Sequence, residues 1–258
     1  MYKRQDDTYT AVWTQLAAER TSLTFALQDA EVSAAVVLWT AGAWQFTLKT
    51  GEGTAPVRLH IAGRHNVKNA LAAAACALSA GVGLAAVVQG LQAFEPVKGR
   101  SRALMLQIKD QTLSLVDDTY NANPDSVRAA IDVLTELPGP RLMVLGDMGE
   151  VGDQGPQFHA EVGAYAAERG IDAFFTLGAL CADAAKAFGA ARHFESMSAL
   201  IAAVQAQLTH VQSIVVKGSR FMKMEQVVEA LVQQAAPMNN KKGEAHACLL
   251  YTSDAADE

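Results

Sequence analysis

Cysteine is scarce in this chain, with three among 258 residues, and Cys76, Cys181 and Cys248 stand too far apart to make a CxxC pair. Neither a disulfide framework nor a thiolate zinc site is indicated, and a reducing cytoplasm fits. Basic runs are lacking too. The 21 Lys and Arg are scattered and outnumbered by 27 Asp and Glu, for a net charge of −6. A nucleic-acid footprint is therefore not expected, although local basic clusters leave room for small anionic ligands. None of the six histidines stands at metal-ligand spacing from Cys, Asp or Glu, and neither a GxSxG nucleophile elbow nor a GxxxxGK[ST] phosphate loop occurs. Met1 to Thr10 is polar and does not read as a signal peptide. The most apolar stretch, Ala70 to Val88, is mostly alanine broken by Ser79, Gly81 and Gly83. It suits two soluble helices rather than a membrane span, so no membrane insertion is expected.

Half of the residues are hydrophobic, enough for two domains with cores. Residues 23–62 carry strand patterning at Leu23–Leu27, Ala35–Trp39, Trp44–Leu48 and Val57–Ile61, which predicts a meander or pair of hairpins. Helices are expected over Asn66–Ala80 and Leu84–Phe94. The segment "FEPVKGRSR" then brings proline, glycine and three basic residues together and is read as an interdomain hinge. From residue 103 strands and helices alternate. Strands are expected at 103–108, 112–117, 141–146, 172–177 and 212–216, with a short one near His193; helices at 124–136, 156–169, 179–187, 197–208 and 222–235. The fold class is thus α/β, a β-meander with helices followed by a Rossmann-like doubly wound sheet. The two ends, 1–5 and 237–258, share no periodicity with the rest and read as non-native sequence.

Four polar motifs punctuate this pattern, each open to a plain structural reading. In "LVDDTYNANPDS" (115–126) a strand ends on Asp117 and Asp118, and Asn123 with Pro124 starts a helix. The loop lies at the ligand-facing edge of an α/β sheet, where an aspartate can accept from ribose hydroxyls, and it equally suits a capped turn. In "GRHNVKNALAAAA", Asn66 and Asn69 share one side of a helix and can face a nucleobase edge; alternatively Asn66 is the helix cap. "VLGDMGEVGDQG" is an acidic, glycine-rich loop unsuited to phosphate, and His159 beyond it can be structural or functional. In "IVVKGSRFMKME" a strand delivers Lys217, and Ser219 and Arg220 stand at a helix start. Two cations at the positive end of a helix oppose its dipole, which points to an anionic ligand.

Taken in order, "GRHNVKNALAA", "KGR", "DDTYNANPDS", "LGDMGEVG", "FHAEVG" and "VKGSRFMKMEQVV" resemble the MurF family of Mur ligases, the UDP-N-acetylmuramoyl-tripeptide–D-alanyl-D-alanine ligases of peptidoglycan synthesis. The resemblance runs from about Asp6 to about Leu231. It implies an ATP- and Mg2+-dependent amide ligase that phosphorylates the tripeptide carboxylate and lets the D-alanyl-D-alanine amine attack the acyl phosphate. It also implies that residues 6–98 are the last part of a central ATP-binding domain and 99–236 the C-terminal Rossmann-like domain. The phosphate loop, the Mg2+ ligands and the modified lysine of that family have no counterpart in the chain, which is expected to be inactive alone. Carried over by position, His65, Asn66 and Asn69 would lie at the adenine, Arg100 at the phosphates, and Asp118 at the ribose with Tyr120 and Asn121 beside it. Lys217, Ser219, Arg220 and Phe221 would line the D-alanyl-D-alanine side. No catalytic or metal-ligating residue is carried over. A cytoplasmic monomer is implied, and the rival readings are another Mur or folylpolyglutamate-type ligase, or a non-catalytic nucleotide- or peptide-binding fragment.

Overall fold

A computed structural model describes residues 2–4, as backbone, and residues 9–235. The proposed non-native tail lies outside the described residues, as do residues 1 and 5 of the proposed leader. Strand β1 (Tyr2–Arg4) runs parallel to β2 (Leu23–Phe25) as a two-stranded pair. The first expected strand is therefore not part of the meander. It joins β1 and is tied to the next segment by a bridge from Phe25 to Val32 and by hydrogen bonds of Thr24 to Glu31 and of Leu27 to Ala34. The meander itself is three-stranded: β3 (Ser33–Thr40), β4 (Ala43–Thr50) and β5 (Gly53–Leu59) in antiparallel order. Its first hairpin turns on Ala41 and Gly42, both at positive φ, as a two-residue loop between right-twisted strands requires. Helix α1 (Thr10–Ala17) was not foreseen. It has no side-chain cap, and Val12, Trp13 and Leu16 are exposed rather than turned toward a core.

Helices α2 (Arg64–Ser79) and α3 (Leu84–Gln92) cover the meander. Leu71, Ala74 and Ala75 pack with Trp44, Phe46 and Leu48 in one buried cluster, so the alanine-rich face lets helix and sheet approach closely.

The larger unit holds β6 (Arg102–Ile108), β7 (Gln111–Asp118), α4 (Pro124–Thr135), β8 (Arg141–Gly146), α5 (Gly155–Glu168), β9 (Ala173–Leu177), α6 (Cys181–Phe188), β10 (Arg192–Phe194), α7 (Met197–Gln207), β11 (Ser213–Lys217) and α8 (Glu225–Gln234). The six strands are ordered β10-β9-β8-β11-β7-β6, all parallel except β6, which pairs antiparallel with β7. Residues alternate between the two faces. Val116, Met143, Leu145 and Val215 meet α4–α6, whereas Leu115, Leu142, Val144, Ile214 and Val216 meet α7 and α8. Each such side chain contributes about 1.5–3 kcal/mol by leaving water. Because the central strands are covered on both sides, their charged residues are confined to the ends, and β7, β8, β9 and β11 present their carboxyl ends along one edge.

Helices α5 and α6 touch backbone to backbone at Gly163. A Cβ there would stand 2.1 Å from the carbonyl oxygen of Ala184, whereas one at Gly90 in α3 would meet nothing within 4 Å. Gly163→Ala is therefore expected to destabilise the protein by about 1–3 kcal/mol through overpacking. Gly90→Ala should be neutral or stabilise by up to about 1 kcal/mol. Urea unfolding midpoints of the two variants check the contrast.

Candidate functional site

The strand edge faces the first turn of α2 across the hinge, and a cavity of about 520 Å³ lies between them. His65 and Asn66 from α2, Arg100 and Ser101 from the hinge, Asp118, Tyr120 and Asn121 after β7, and Lys217 at the end of β11 all line it. Six of the seven residues expected at a nucleotide thus converge with one expected at the peptide. Asn69 does not line this cavity; it borders a neighbouring apolar pocket together with Asn66.

The first turn of α2 is built on Gly63, at φ +89, where a Cβ would press on the His65 ring at 2.5 Å and on Val133 at 2.9 Å. Asn66 is not the helix cap. It stands in the third helical position, donates its amide to the carbonyl of Ala62 at 2.7 Å and accepts from the Asn69 amide at 3.0 Å. Asn123 is a cap as expected, in a reciprocal box with Ser126, with Pro124 opening α4.

Asp117 and Asp118 hold the hinge. Asp117 is fully buried and accepts from the backbone N–H of Gly99 at 3.0 Å and from the hydroxyl of Thr119 at 2.7 Å. Asp118 accepts from the N–H of Ser101 at 2.9 Å with one oxygen and from the Lys217 ammonium at 2.6 Å with the other. Gly99 and Ser101 both sit at positive φ, +81 and +48, so these bonds fix a backbone shape that is otherwise uncommon.

The segment after β11 departs from expectation. Lys217 and Ser219 are each 2% exposed. Lys217 has its charge met internally, by Asp118 and by the carbonyl of Asn121 at 2.9 Å. The hydroxyl of Ser219 accepts from the Gly149 N–H and lies 3.4 Å from the carbonyl of Ala122, tying three loops together. The long helix expected from residue 222 begins at Glu225, after a short 3₁₀ turn at Arg220–Met222. Two cations at a helix start are therefore not awaiting one ligand anion; the lysine is already paired. Arg220 and Phe221 remain exposed. Arg220 stands 3.7 Å from Glu225, and two guanidinium groups approach the ring of Tyr120, Arg100 at 3.9 Å and Arg220 at 6.0 Å from its centroid.

Sequence reasoning missed one buried cluster beside this edge, formed by Asp147, His159 and Cys181, the one group of three metal-capable side chains among the described residues. Its donors are committed. His159 Nδ1–H donates to the carbonyl of Gly155 at 2.7 Å, and Nε2 accepts from the N–H of Met148 at 2.9 Å. Asp147 accepts from the N–H of Cys181 at 2.7 Å. Burial pushes the Cys181 thiol well above its usual range, and the nearby Asp147 carboxylate adds to this. A protonated thiol, a fully bonded imidazole and a single carboxylate do not make an oxygen-rich Mg2+ site; the cluster braces the β8 loop.

Residues 101–220 match the family model "Mur ligase, glutamate ligase domain", which defines the larger unit as a Mur ligase C-terminal-type domain. Over 189 residues the chain is 42% identical to the UDP-N-acetylmuramoyl-tripeptide–D-alanyl-D-alanine ligase of Escherichia coli, covering 72% of this chain and 41% of that protein. A crystal structure of MurF from Acinetobacter baumannii superposes with a TM-score of 0.75 at 34% identity, over 90% of this chain and 51% of the other. The MurF ligase of Thermotoga maritima, crystallised in complex with ADP, superposes with a TM-score of 0.72 at 19% identity, over 90% and 53% of the two chains. The chain is a homologue of the MurF ligases and spans about half of their length.

His65 yields a pH prediction. His65 is exposed at the rim, yet the neighbouring wall desolvates its imidazole enough to hold it below the ordinary 6.5, and the Asp118 carboxylate opposes that shift. Below that value the unfolded chain then binds more protons than the folded one, so stability is fullest above pH 6.5 and declines as pH falls through the lowered value. Proton NMR titration should find His65 titrating below 6.5, and His65→Gln should flatten the decline. A midpoint above 6.5 would contradict the geometry.

Proposed function

We propose that this chain supplies the hinge and C-terminal half of a cytoplasmic ATP-dependent amide ligase that adds D-alanyl-D-alanine to UDP-N-acetylmuramoyl-tripeptide. In this reading residues 6–98 are the end of a central ATP-binding domain and residues 99–236 the C-terminal domain. The observation that carries it is the convergence of His65, Asn66, Arg100, Asp118, Tyr120 and Asn121 on one cavity whose volume suits a nucleotide-sized ligand. Homology to MurF and the ADP complex of the Thermotoga relative support the same assignment.

ATP would supply the phosphoryl group that turns a poor electrophile, the tripeptide carboxylate, into one that an amine can attack, with Mg2+ neutralising phosphate charge. The residues of this chain bind and orient. Arg100, stacked on Tyr120 and without a carboxylate partner among the described residues, offers a planar donor fork to phosphate. Asn66 and Asn69 are hydrogen-bonded to each other and Asn66 also to Ala62, so toward a base edge they would offer only the second amide hydrogen of each and the Asn69 oxygen. Asp118 is already engaged by Ser101 and Lys217, so it would meet a ribose hydroxyl with its remaining lone pairs. Arg220, exposed beside Tyr120 with Phe221 and only loosely paired with Glu225 at 3.7 Å, is the cation that would meet the carboxylate end of the incoming dipeptide.

Nothing in these residues can cradle a triphosphate, since no phosphate-loop motif occurs. The purified chain should bind ADP but release no phosphate from ATP and Mg2+ above a mock preparation. Arg100→Ala should weaken ADP at least about tenfold, the loss of a charge-assisted contact. Isothermal titration and a phosphate-release assay check both; sustained turnover, or ADP affinity indifferent to Arg100, would overturn the reading.

For the peptide side, Arg220→Ala should weaken D-alanyl-D-alanine while leaving ADP affinity within about twofold, and a C-terminally amidated dipeptide should bind the wild type poorly. NMR titrations with the two dipeptides decide this. Equal binding of free acid and amide would remove Arg220 from the carboxylate.

A further inference from the structure

We propose that Lys217 is a positioning residue: its ammonium does not bind the dipeptide but, through Asp118, fixes the hinge residue Ser101 and the loop that carries Tyr120 and Asn121. Three observations carry this. The Lys217 side chain is 3% exposed, and its ammonium lies 2.6 Å from Asp118 and 2.9 Å from the carbonyl of Asn121. Strands β11 and β7 are hydrogen-bonded neighbours in a register that sets Lys217 opposite Asp118, so the pair is part of the sheet and not a chance surface contact. Asp118 uses its other oxygen on the N–H and hydroxyl of Ser101, at 2.9 and 3.3 Å, and the carbonyl of Ser101 accepts from the N–H of Ala62 at 2.9 Å. One cation therefore stands at the head of a continuous polar chain from β11, through the β7 loop and the hinge, to the entry of α2.

The electrostatics give that cation its role. A carboxylate drawn out of water needs hydrogen-bond donors or a compensating charge, and a buried pair that loses one member leaves the other uncompensated. Without the ammonium, the Asp118 carboxylate loses its charged partner and would turn toward water, and Ser101 loses its anionic acceptor. Gly99 offers an internal control, because its N–H is held by Asp117, which Lys217 does not touch.

The link to ligand binding rests on the nucleotide reading above, so the test separates the two. Amide hydrogen exchange in the 258-residue chain is measured for wild type, Lys217→Gln and Lys217→Arg. In Lys217→Gln the Ser101 amide should exchange about tenfold faster relative to Gly99, the effect of losing one charge-assisted hydrogen bond. Lys217→Arg, which keeps the charge, should restore part of the protection. ADP affinity should fall in Lys217→Gln while D-alanyl-D-alanine affinity stays within about twofold. A folded Lys217→Gln with unchanged Ser101 exchange overturns the proposal, as does selective loss of the dipeptide. Should wild type fail to bind ADP, the nucleotide reading falls, and the exchange ratio still decides the positioning role. If Lys217→Gln does not fold, wild type is examined by nitrogen-resolved NMR of the lysine ammonium. A protected Lys217 signal that shifts with ADP and ignores D-alanyl-D-alanine supports the proposal, and one that shifts with the dipeptide alone overturns it.

Discussion

The pairing of Asp118 with Lys217 is the contact on which the cleft depends, because it is where the sheet, the hinge and the β7 loop are tied to one another. The two residues end adjacent parallel strands, and their charged ends meet at 2.6 Å at the rim of a core that is otherwise apolar. Asp117, one residue earlier, faces the other way and is buried without a cation. Its hydrogen bonds come from donors on Gly99 and Thr119. Consecutive aspartates thus grip the hinge at two points, two residues apart, by different means. One grip depends on a distant lysine and the other only on local backbone, so they can be loosened independently.

That arrangement explains why the cavity lies where it does. Parallel strands covered by helices on both faces leave free polar groups only at their ends, and the carboxyl edge collects Asp117, Asp118, Asp147 and Lys217. The hinge runs past this edge, and α2 begins directly beyond it, with the N–H of Ala62 bonded to Ser101. Gly63 lets the chain turn sharply enough for His65 and Asn66 to face the same space. The cleft has two walls from units far apart in sequence, and its width is set by how the hinge is held.

Much of this was legible in the sequence, and the parts that were not have separate physical causes. Strands β7, β8, β9 and β11 and their helices declared themselves by short apolar runs alternating with 3.6-residue periodicity, and Asn123-Pro124 announced α4 by cap chemistry. The seven nucleotide candidates came from motif resemblance, and six line one cavity. Helix α1 was missed because its apolar residues are exposed and no cap marks its start. The partner of β2 was missed because it lies in a segment set aside as non-native. Lys217 was misjudged for a subtler reason: its local setting, a cation before a helix start, suggested an absent anion. The anion is present, 99 residues away in the chain, and is visible only once β11 is known to insert between β7 and β8. Strand order is the one piece of information that periodicity does not contain.

The distribution of cations follows from their chemistry. An ammonium is a compact donor that fits a slot between a carboxylate oxygen and a backbone carbonyl, and Lys217 fills such a slot almost free of solvent. A guanidinium is wide and planar, and it pairs best with two oxygens of one anion while its face stacks on an aromatic ring. Arg100 has that setting, exposed and 3.9 Å from the Tyr120 ring, while Arg220, also exposed, stands 6.0 Å from the same ring and 3.7 Å from Glu225. The arginines are the exposed cations of this rim, and the buried lysine belongs to the frame beside them. Because Lys217 also bonds the carbonyl of Asn121, the neighbour of Tyr120, the aim of the aromatic platform is coupled to the same ion pair that holds the hinge.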